Sequence, residues 1–137
     1  MLAILALLVV SVPTATATTT TDLEKGLLSK INAERSARGL IPLRAYSKLW
    51  DIAGLRAARM AKTNVMSHSI AGSMSAQLAA RHVPWYAYGE DIGYTRAKRG
   101  TTAMNELFRL WKASPEHWKL MMSSRFNYVG VGFAYRF

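Results

Sequence analysis

The sequence predicts an α+β protein in which helices pack on a small antiparallel sheet. Several segments repeat apolar residues at helical spacing, whereas the segments near residues 88 and 128 alternate and are rich in β-formers. The predicted order is helix, helix, short helix, strand, helix, helical turn, strand, which is typical of helices gathered on a sheet. A chain of 137 residues suits one domain.

The amino terminus, MLAILALLVVSVPTATATTTT, is predicted to be an export signal. Its apolar run covers residues 1–12, shorter than the ~20 residues of a membrane span. Ala15-Thr16-Ala17 matches the small-x-small pattern that signal peptidase cleaves. We expect residues 1–17 to be a signal peptide, residues 18–21 a polar leader and residues 22–137 the domain of a secreted, extracellular protein. No Lys or Arg precedes the apolar run, so we expect the true start to lie upstream or the given start to be clipped. The alternative to a signal peptide is a short, uncleaved membrane anchor that keeps the protein at the envelope.

Capping signals define the first helices. The first helix is predicted to begin at the capping box of residues 21–24, TDLE, and to end at Gly39, ahead of Pro42. A second helix is predicted from Ser47 to about Asn64, and a third, short one over residues 74–81. The second helix has an apolar stripe, and its basic residues are expected to lie largely on the other side: Arg56, Arg59 and Lys62.

The later elements include both predicted strands. Residues 88–95, YGEDIGYT, are predicted to form a strand whose buried face carries Glu90 with Ile92 and Tyr94. A fourth helix begins near residue 101, and Ser114 is predicted to cap a helical turn after it. In the final strand, NYVGVGFAYRF, the face with Gly130 and its glycine and alanine neighbours leaves room for a closely packed element.

Composition limits the partners. Lys and Arg number 18 against 8 Asp and Glu, which gives a net charge of +10. This charge favours anionic lipid head groups or acidic cell-envelope polymers, and export makes nucleic acid an unexpected partner. The chain has no cysteine, so stability must come from its core rather than from disulfides.

Three residues could form a site. His117, three residues after Ser114, lies at a helix start, where the macrodipole disfavours the imidazolium and favours the neutral ring that a metal or a general base uses. Glu90 on a buried face needs a positive or hydrogen-bonding partner. His68 and His117 are the candidates, either as ligands of a divalent cation with Glu90 or as a hydrogen-bonded cluster without metal. The motif HExxH and the serine elbow Gly-x-Ser-x-Gly are both absent from the sequence.

The aromatic residues and two methionines are expected to divide into a buried group and a partly exposed group. Core packing is expected for Trp111 and for three residues of the following turn: Trp118, Met121 and Met122. Trp50 and Trp85 are expected to be partly exposed. The run Trp85-Tyr86-Ala87-Tyr88 precedes the Glu90 strand and could border an apolar ligand or a glycan.

The ordered set of motifs resembles the CAP superfamily, whose SCP-like domains occur in cysteine-rich secretory proteins, antigen 5 and pathogenesis-related proteins. The segments that carry the resemblance are NAERSARGLIPLRAYSKLWDIAGLRAARMA, SHS, YGEDIGY and LWKASPEHWKLMMSSRFNYVGVGFAY. It covers the chain from about Asp22 to Tyr135.

The resemblance implies a three-layer α-β-α sandwich with a central cleft. Family clefts are lined by two histidines and two acids. The histidines match His68 and His117 here, and one of the acids matches Glu90. The second acid usually follows the first histidine, but SIAGSMSA holds none, so a zinc or other divalent ion is expected to bind weakly or not at all. Asp91 stands where the family usually has asparagine and is a partial substitute for the acid. The cleft would also include Ser114 and Trp111.

The resemblance also implies a further strand after the G-V-G strand. The alternatives are a missing final strand or an exposed strand edge at the carboxyl end, which would favour self-association.

Three functions follow from these observations. The first is a secreted binding or interaction module for a lipid-like, peptide or glycan ligand, which the resemblance favours over an enzyme. The second is a hydrolase in which Glu90 and His117 activate a water, with or without metal. The third is a cationic protein held at the envelope by charge.

Overall fold

The computed structural model describes residues 2–11, 22–96 and 98–136 and contains nine elements in that part of the chain. The strands are β1 (Leu2–Ser11), β2 (Arg44–Ala45), β3 (Ala87–Arg96) and β4 (Tyr128–Arg136). The helices are α1 (Asp22–Ala37), α2 (Ser47–Thr63), α3 (Met74–Ala80), α4 (Gly100–Ala113) and α5 (Pro115–Met121). The predicted α+β class is confirmed.

The sheet has four strands in the order β2-β4-β1-β3. β1 pairs antiparallel with β3 from Leu2↔Arg96 to Ser11↔Ala87, and antiparallel with β4 from Leu2↔Arg136 to Val10↔Tyr128. The two-residue strand β2 pairs with β4 in parallel. The sheet is therefore mixed rather than wholly antiparallel, and β1 and β2 are strands that the sequence analysis did not predict.

β1 is formed by residues that the sequence predicts to belong to a signal peptide. In the chain with these residues in place, Ala6, Leu7, Leu8 and Val9 are all fully buried in the middle of the sheet. The predicted cleavage pattern at residues 15–17, the polar leader and Thr21 of the capping box lie outside the described residues. Cleavage therefore stays a prediction. In the structure, the same apolar run forms a buried strand of the sheet.

Helices cover both faces of the sheet and complete a three-layer α-β-α sandwich. The largest apolar cluster joins Leu7 and Val9 to side chains of α1 and α4: Leu27, Ile31, Met104, Leu107 and Trp111. On the other face, Leu8 packs with residues of α2 and α3: Leu49, Ile52, Ala53, Met74 and Leu78. Because side chains alternate along a strand, neighbouring residues of β1 serve opposite layers.

Local signals explain the helix ends. Gly39 has φ +70°, the left-handed conformation that favours glycine, and it follows the end of α1 as predicted. Pro115 occupies the first turn of α5. The side chain of Ser114, however, makes no capping hydrogen bond to the α5 backbone, so the predicted capping role of its hydroxyl is wrong.

The closest contact between layers is made by two glycines of β4. A Cβ at Gly130 would lie 2.1 Å from the carbonyl oxygen of Leu49, and a Cβ at Gly132 would lie 2.2 Å from the carbonyl oxygen of Ala53. The backbone of α2 thus rests directly on β4, as the predicted small-residue face of this strand requires.

One long edge of β4 is paired and the other is paired only at its start. β2 covers Tyr128 and Val129, and no strand within the described ranges continues along that side. Self-association through this edge stays a prediction. Among the described residues, no helix is both long and apolar enough to cross a membrane.

We predict that Gly132→Ala destabilises the protein by about 3 kcal/mol, because the new methyl group must displace the α2 backbone. The matched control is Gly54→Ala within α2, where an added Cβ meets no atom within 4 Å. That change should stabilise the helix by up to about 1 kcal/mol. Urea unfolding followed by circular dichroism measures both, and equal midpoints for the two variants would contradict the close contact.

Candidate functional site

Glu90 is the buried carboxylate of the site, and Arg56 is its partner. The side chain of Glu90 is only 6% exposed and that of Arg56 is fully buried. Arg56 Nε donates to Glu90 Oε2 at 2.5 Å, and Arg56 Nη2 donates to Glu90 Oε1 at 2.9 Å. This two-pronged geometry is the strong form of an arginine–carboxylate pair. The positive partner that a buried Glu90 requires is therefore an arginine of α2.

The prediction that Arg56 lies on the solvent side of α2 is wrong, whereas Arg59 and Lys62 are exposed as predicted. The sequence did contain a signal, because Arg56 follows Ile52 by four residues and precedes Met60 by four, within the apolar stripe. A charge in that stripe indicates a buried ion pair. Nothing local identified Glu90, 34 residues later, as the partner.

Arg56 also organises the loop after α2. Its guanidinium donates to the carbonyl oxygens of His68 at 2.5 Å, Ile70 at 2.7 Å and Gly72 at 3.1 Å. A buried arginine must satisfy its donors, and these carbonyls complete the set that Glu90 begins. The position of His68 is therefore determined by the same side chain that neutralises Glu90.

His68 joins Glu90 at the surface. Its Nδ1 lies 2.8 Å from Glu90 Oε1, and its side chain is 63% exposed. These two predicted site residues are therefore in contact. With Nδ1 directed at a carboxylate, the Nε2 side of the ring remains available to a ligand.

His117 lies in a different environment. Its Nδ1 is 2.7 Å from Ser114 Oγ, and its ring stacks on Trp111 at a centroid distance of 6.0 Å and an angle of 13°. Trp111 is buried and its Nε1 donates to the carbonyl oxygen of Ile92. His117, Ser114 and Trp111 therefore form one group of contacting residues.

The side chains of Glu90 and Trp111 lie on opposite faces of β3. Glu90 is registered with Leu8, whose side chain packs with α2, whereas Asp91 is registered with Leu7 in the cluster of α1 and α4. Trp111 belongs to that second cluster. Alternation along β3 therefore directs Glu90 to the α2 face, and His117 lies on the opposite face with Trp111.

Asp91 is the second acid of β3, and it is 3% exposed. Its Oδ2 has no hydrogen-bond partner among the described residues. Burial, and to a lesser degree the nearby charge of Glu90, raises the pKa of Asp91 to about 8. The side chain is therefore mostly protonated at pH 7 and has the neutral, planar shape of asparagine. It lies on the face opposite Glu90 and does not join His68.

The arrangement does not fit a divalent ion held by His68, Glu90 and His117. Both oxygens of Glu90 are engaged by Arg56, whose positive charge would repel a cation. Within the residues that the structure describes, no three histidine, cysteine or acidic side chains come close enough to hold a metal ion.

Exposed aromatic residues lie beside the site. Trp85 is 42% exposed and meets Tyr88 edge-on at 4.8 Å between ring centroids, and Tyr86 is almost wholly exposed. Tyr88 precedes Glu90 by two residues and therefore shares its face of β3, about 7 Å away along the strand. Trp50, in contrast, is buried and donates to Glu24, so the expectation of partial exposure is wrong for it.

A second buried arginine, Arg35, holds together the segments that follow α1 and α5. Arg35 donates to four backbone carbonyls, those of Ile41, Met121, Ser123 and Phe126. It also lines a shallow cleft of about 310 Å³ beside residues 124–127. Asn32, one turn earlier, bonds both the amide and the carbonyl of Leu43. Through these contacts, Asn32 and Arg35 of α1 hold the segments after α1 and α5 in place.

Comparison with known proteins identifies the family. The model of the cysteine-rich secretory protein family, CAP, matches residues 28–136. The chain belongs to the CAP family.

Two relatives show how this CAP domain compares. It is 27% identical over 112 residues to the uncharacterised protein YkwD of Bacillus subtilis (strain 168), which covers 80% of this chain and 42% of that protein. The chain thus spans less than half the length of that relative. Its fold is similar to that of an outer surface protein from Borrelia burgdorferi, with a TM-score of 0.60, 16% identity and coverage of 85% and 84% of the two chains.

We predict that Arg56→Gln destabilises the CAP domain by about 3–5 kcal/mol, because it leaves a buried carboxylate unpaired. It also removes the donors to three loop carbonyls. Glu90→Gln should cost less, since Arg56 keeps those carbonyls. Urea unfolding of both variants measures the difference, and a larger loss for Glu90→Gln would contradict the organising role of Arg56.

We predict a pH dependence of stability that comes from Asp91. Its pKa is raised from an ordinary 3.8 to about 8, so the folded protein keeps a proton that the unfolded chain releases between these values. The contribution of Asp91 to stability is complete below about pH 4 and falls as pH rises towards 8.

Asp91→Asn should therefore gain free energy of unfolding relative to the parent protein as pH rises from 4 to 8. The expected change is a few kcal/mol, since one pKa unit corresponds to about 1.4 kcal/mol. Urea titrations at pH 4, 6 and 8 measure it, with Asp51→Asn on the exposed side of α2 as control. Parallel profiles for the Asp91 variant and the parent would show that Asp91 does not titrate in this way.

Proposed function

We propose that this CAP-domain protein is a binding module that holds a glycan on the α2 face of β3, at His68 and the neighbouring aromatic residues. The observation that carries the proposal is the state of Glu90. Arg56 occupies and neutralises its carboxylate, so Glu90 orients His68 instead of acting as a free base. An exposed, oriented histidine without a free catalytic carboxylate suits ligand recognition.

The aromatic residues favour a glycan among the possible ligands. Trp85, Tyr86 and Tyr88 offer exposed ring surface rather than an enclosed cavity. A lipid-like ligand would need a pocket that buries most of its surface, whereas a sugar ring can pack its C–H face on an aromatic ring and keep its hydroxyls in water. His68 supplies a hydrogen-bonding group at Glu90, which lies two residues from Tyr88 on the same face of β3.

Location outside the cytoplasm is part of the proposal. The structural neighbour from Borrelia burgdorferi is described as an outer surface protein, which supports this location. A net charge of +10 would hold an exported protein near acidic envelope polymers and so raise its local concentration around envelope glycans. Charge thereby assists the binding function instead of replacing it.

The hydrolase alternative has less support. It requires Glu90 to act as a free base, but both oxygens of Glu90 accept hydrogen bonds from Arg56.

We predict that soluble N-acetylglucosamine oligosaccharides bind at this surface. Isothermal titration calorimetry should show that Trp85→Ala and His68→Ala each weaken binding by about tenfold, which corresponds to ~1.4 kcal/mol. The matched control is Ile41→Ala, which removes a 75%-exposed apolar side chain that borders the Arg35 cleft. Binding that is absent, or equally weak in all three variants, would refute the proposed site.

A further inference from the structure

Two arginines are buried in the described part of the chain, and they differ in how their charge is met. Arg56 directs Nε and Nη2 of its guanidinium to the carboxylate of Glu90. Arg35 donates only to backbone carbonyls, and none of the ion pairs among the described residues includes it. Burial lowers the pKa of Arg35, but a guanidinium stays protonated in proteins. Carbonyl dipoles therefore stabilise this charge without neutralising it.

One N–H group of Arg35 is left over after its backbone contacts. A guanidinium has five N–H donors. Nε donates to the carbonyl oxygen of Ile41 at 2.9 Å, Nη1 to those of Met121 and Ser123 at 2.9 Å, and Nη2 to that of Phe126 at 3.2 Å. The second hydrogen of Nη2 thus has no acceptor among the residues that the structure describes. Because a buried donor without an acceptor costs free energy, an acceptor that reaches it is favoured.

The Arg35 cleft borders the same side of this guanidinium. Its walls are residues 39–41, which follow α1, and residues 124–127, which follow α5. Of the four described acceptors, only those of Nε and Nη2, in Ile41 and Phe126, belong to residues that line the cleft. The cleft therefore lies at the edge of the guanidinium that meets a carboxylate in the other buried arginine.

The rest of the cleft combines positive charge with apolar surface. Arg125 is exposed on its rim, and no aspartate or glutamate is among the described residues that line it. Ile41 is 75% exposed, and Leu40 is half-buried next to it. The volume of about 310 Å³ lies at the lower end of the ~300–1,000 Å³ of small-molecule sites, so a ligand must be short.

We propose that the Arg35 cleft binds a small organic carboxylate that carries a short apolar group. One carboxylate oxygen accepts from the remaining N–H of Arg35, and the charge of Arg125 attracts the anion at the rim. The apolar group packs on Ile41. A free acid and the carboxyl terminus of a peptide both present this chemistry. The site shares no residue with the proposed glycan site, and neither proposal depends on the other.

A titration of the ¹⁵N-labelled full chain with N-acetyl-leucine, followed by NMR, tests the site. We expect the backbone amide signals of Gly39 and Ser124 and the side-chain Nε–H signal of Arg35 to shift, because these groups surround the cleft. A ligand of this size reaches a Kd of about 2 mM at ordinary efficiency per atom. No shift of these signals at about 20 mM ligand, ten times that Kd, would refute the site.

Two further ligands test which chemistry is recognised. N-acetyl-leucinamide has the same apolar group without the charge, and we expect it to bind at least about tenfold more weakly. Inorganic phosphate has charge without the apolar group and should also bind at least about tenfold more weakly. Equal binding of the amide would show that the carboxylate is not recognised, and equal binding of phosphate would show an unselective anion site. Either result would overturn the proposal.

Substitutions of exposed residues test the position of the ligand without disturbing the core. Ile41→Ala should weaken N-acetyl-leucine by about fivefold, since it removes most of the apolar contact. Arg125→Gln should weaken it by about threefold, as expected for an exposed charge. The matched control is Trp85→Ala, another exposed apolar residue, which should leave the Kd unchanged. The same Kd in all three variants and the parent would place the ligand elsewhere and contradict the proposal.

A peptide distinguishes the two sources of the carboxylate. Acetyl-dialanyl-leucine ends in the same group as N-acetyl-leucine but continues out of the cleft. Binding about tenfold tighter than that of N-acetyl-leucine would identify the carboxyl terminus of a peptide as the ligand, because added residues make added contacts. Equal or weaker binding would identify a free small acid. Binding of neither compound would refute the proposal, whatever the result of the glycan titration.

Discussion

The pairing of β1 with both β3 and β4 is the interaction on which the rest of the structure depends. β3 and β4 do not pair with each other, so β1 alone connects them into one sheet. Its side chains also supply apolar surface to both helical layers, with Leu7 on one face and Leu8 on the other. Buried backbone groups of β3 and β4 need partners, and a central strand supplies them along both edges at once.

A buried arginine imposes the second constraint. Arg56 cannot lose its charge in the interior, so the fold must surround it with acceptors, and it does so with Glu90 and three carbonyls of the loop after α2. One side chain thereby links α2, that loop and β3. The consequence for function is that Glu90 is committed to Arg56, and His68 becomes the group of the pair that is directed to solvent.

Much of the architecture was predictable because its signals are local. Gly39 and Pro42 mark the end of the first helix, Ser47 begins the second, and Gly130 with Gly132 indicates the face of β4 on which α2 lies. His68 was one of two candidate partners for Glu90, because a buried carboxylate needs a positive or hydrogen-bonding neighbour. The pairing of Arg56 with Glu90 was not predicted, because the two residues are 34 positions apart and no local sequence pattern near either residue identifies the other as its partner.

The sequence by itself determined the helices, the strands β3 and β4, the α+β class and the basic surface, because periodicity, capping residues and charge are properties of short segments. Only the tertiary structure decided the place of residues 2–11. A continuous apolar run suits an export signal and equally a strand buried on both faces, and only partners from distant parts of the chain distinguish the two roles. The same reason applies to the site, since the helical layers that meet Glu90 and Trp111 on opposite faces of β3 come from segments that are remote in sequence.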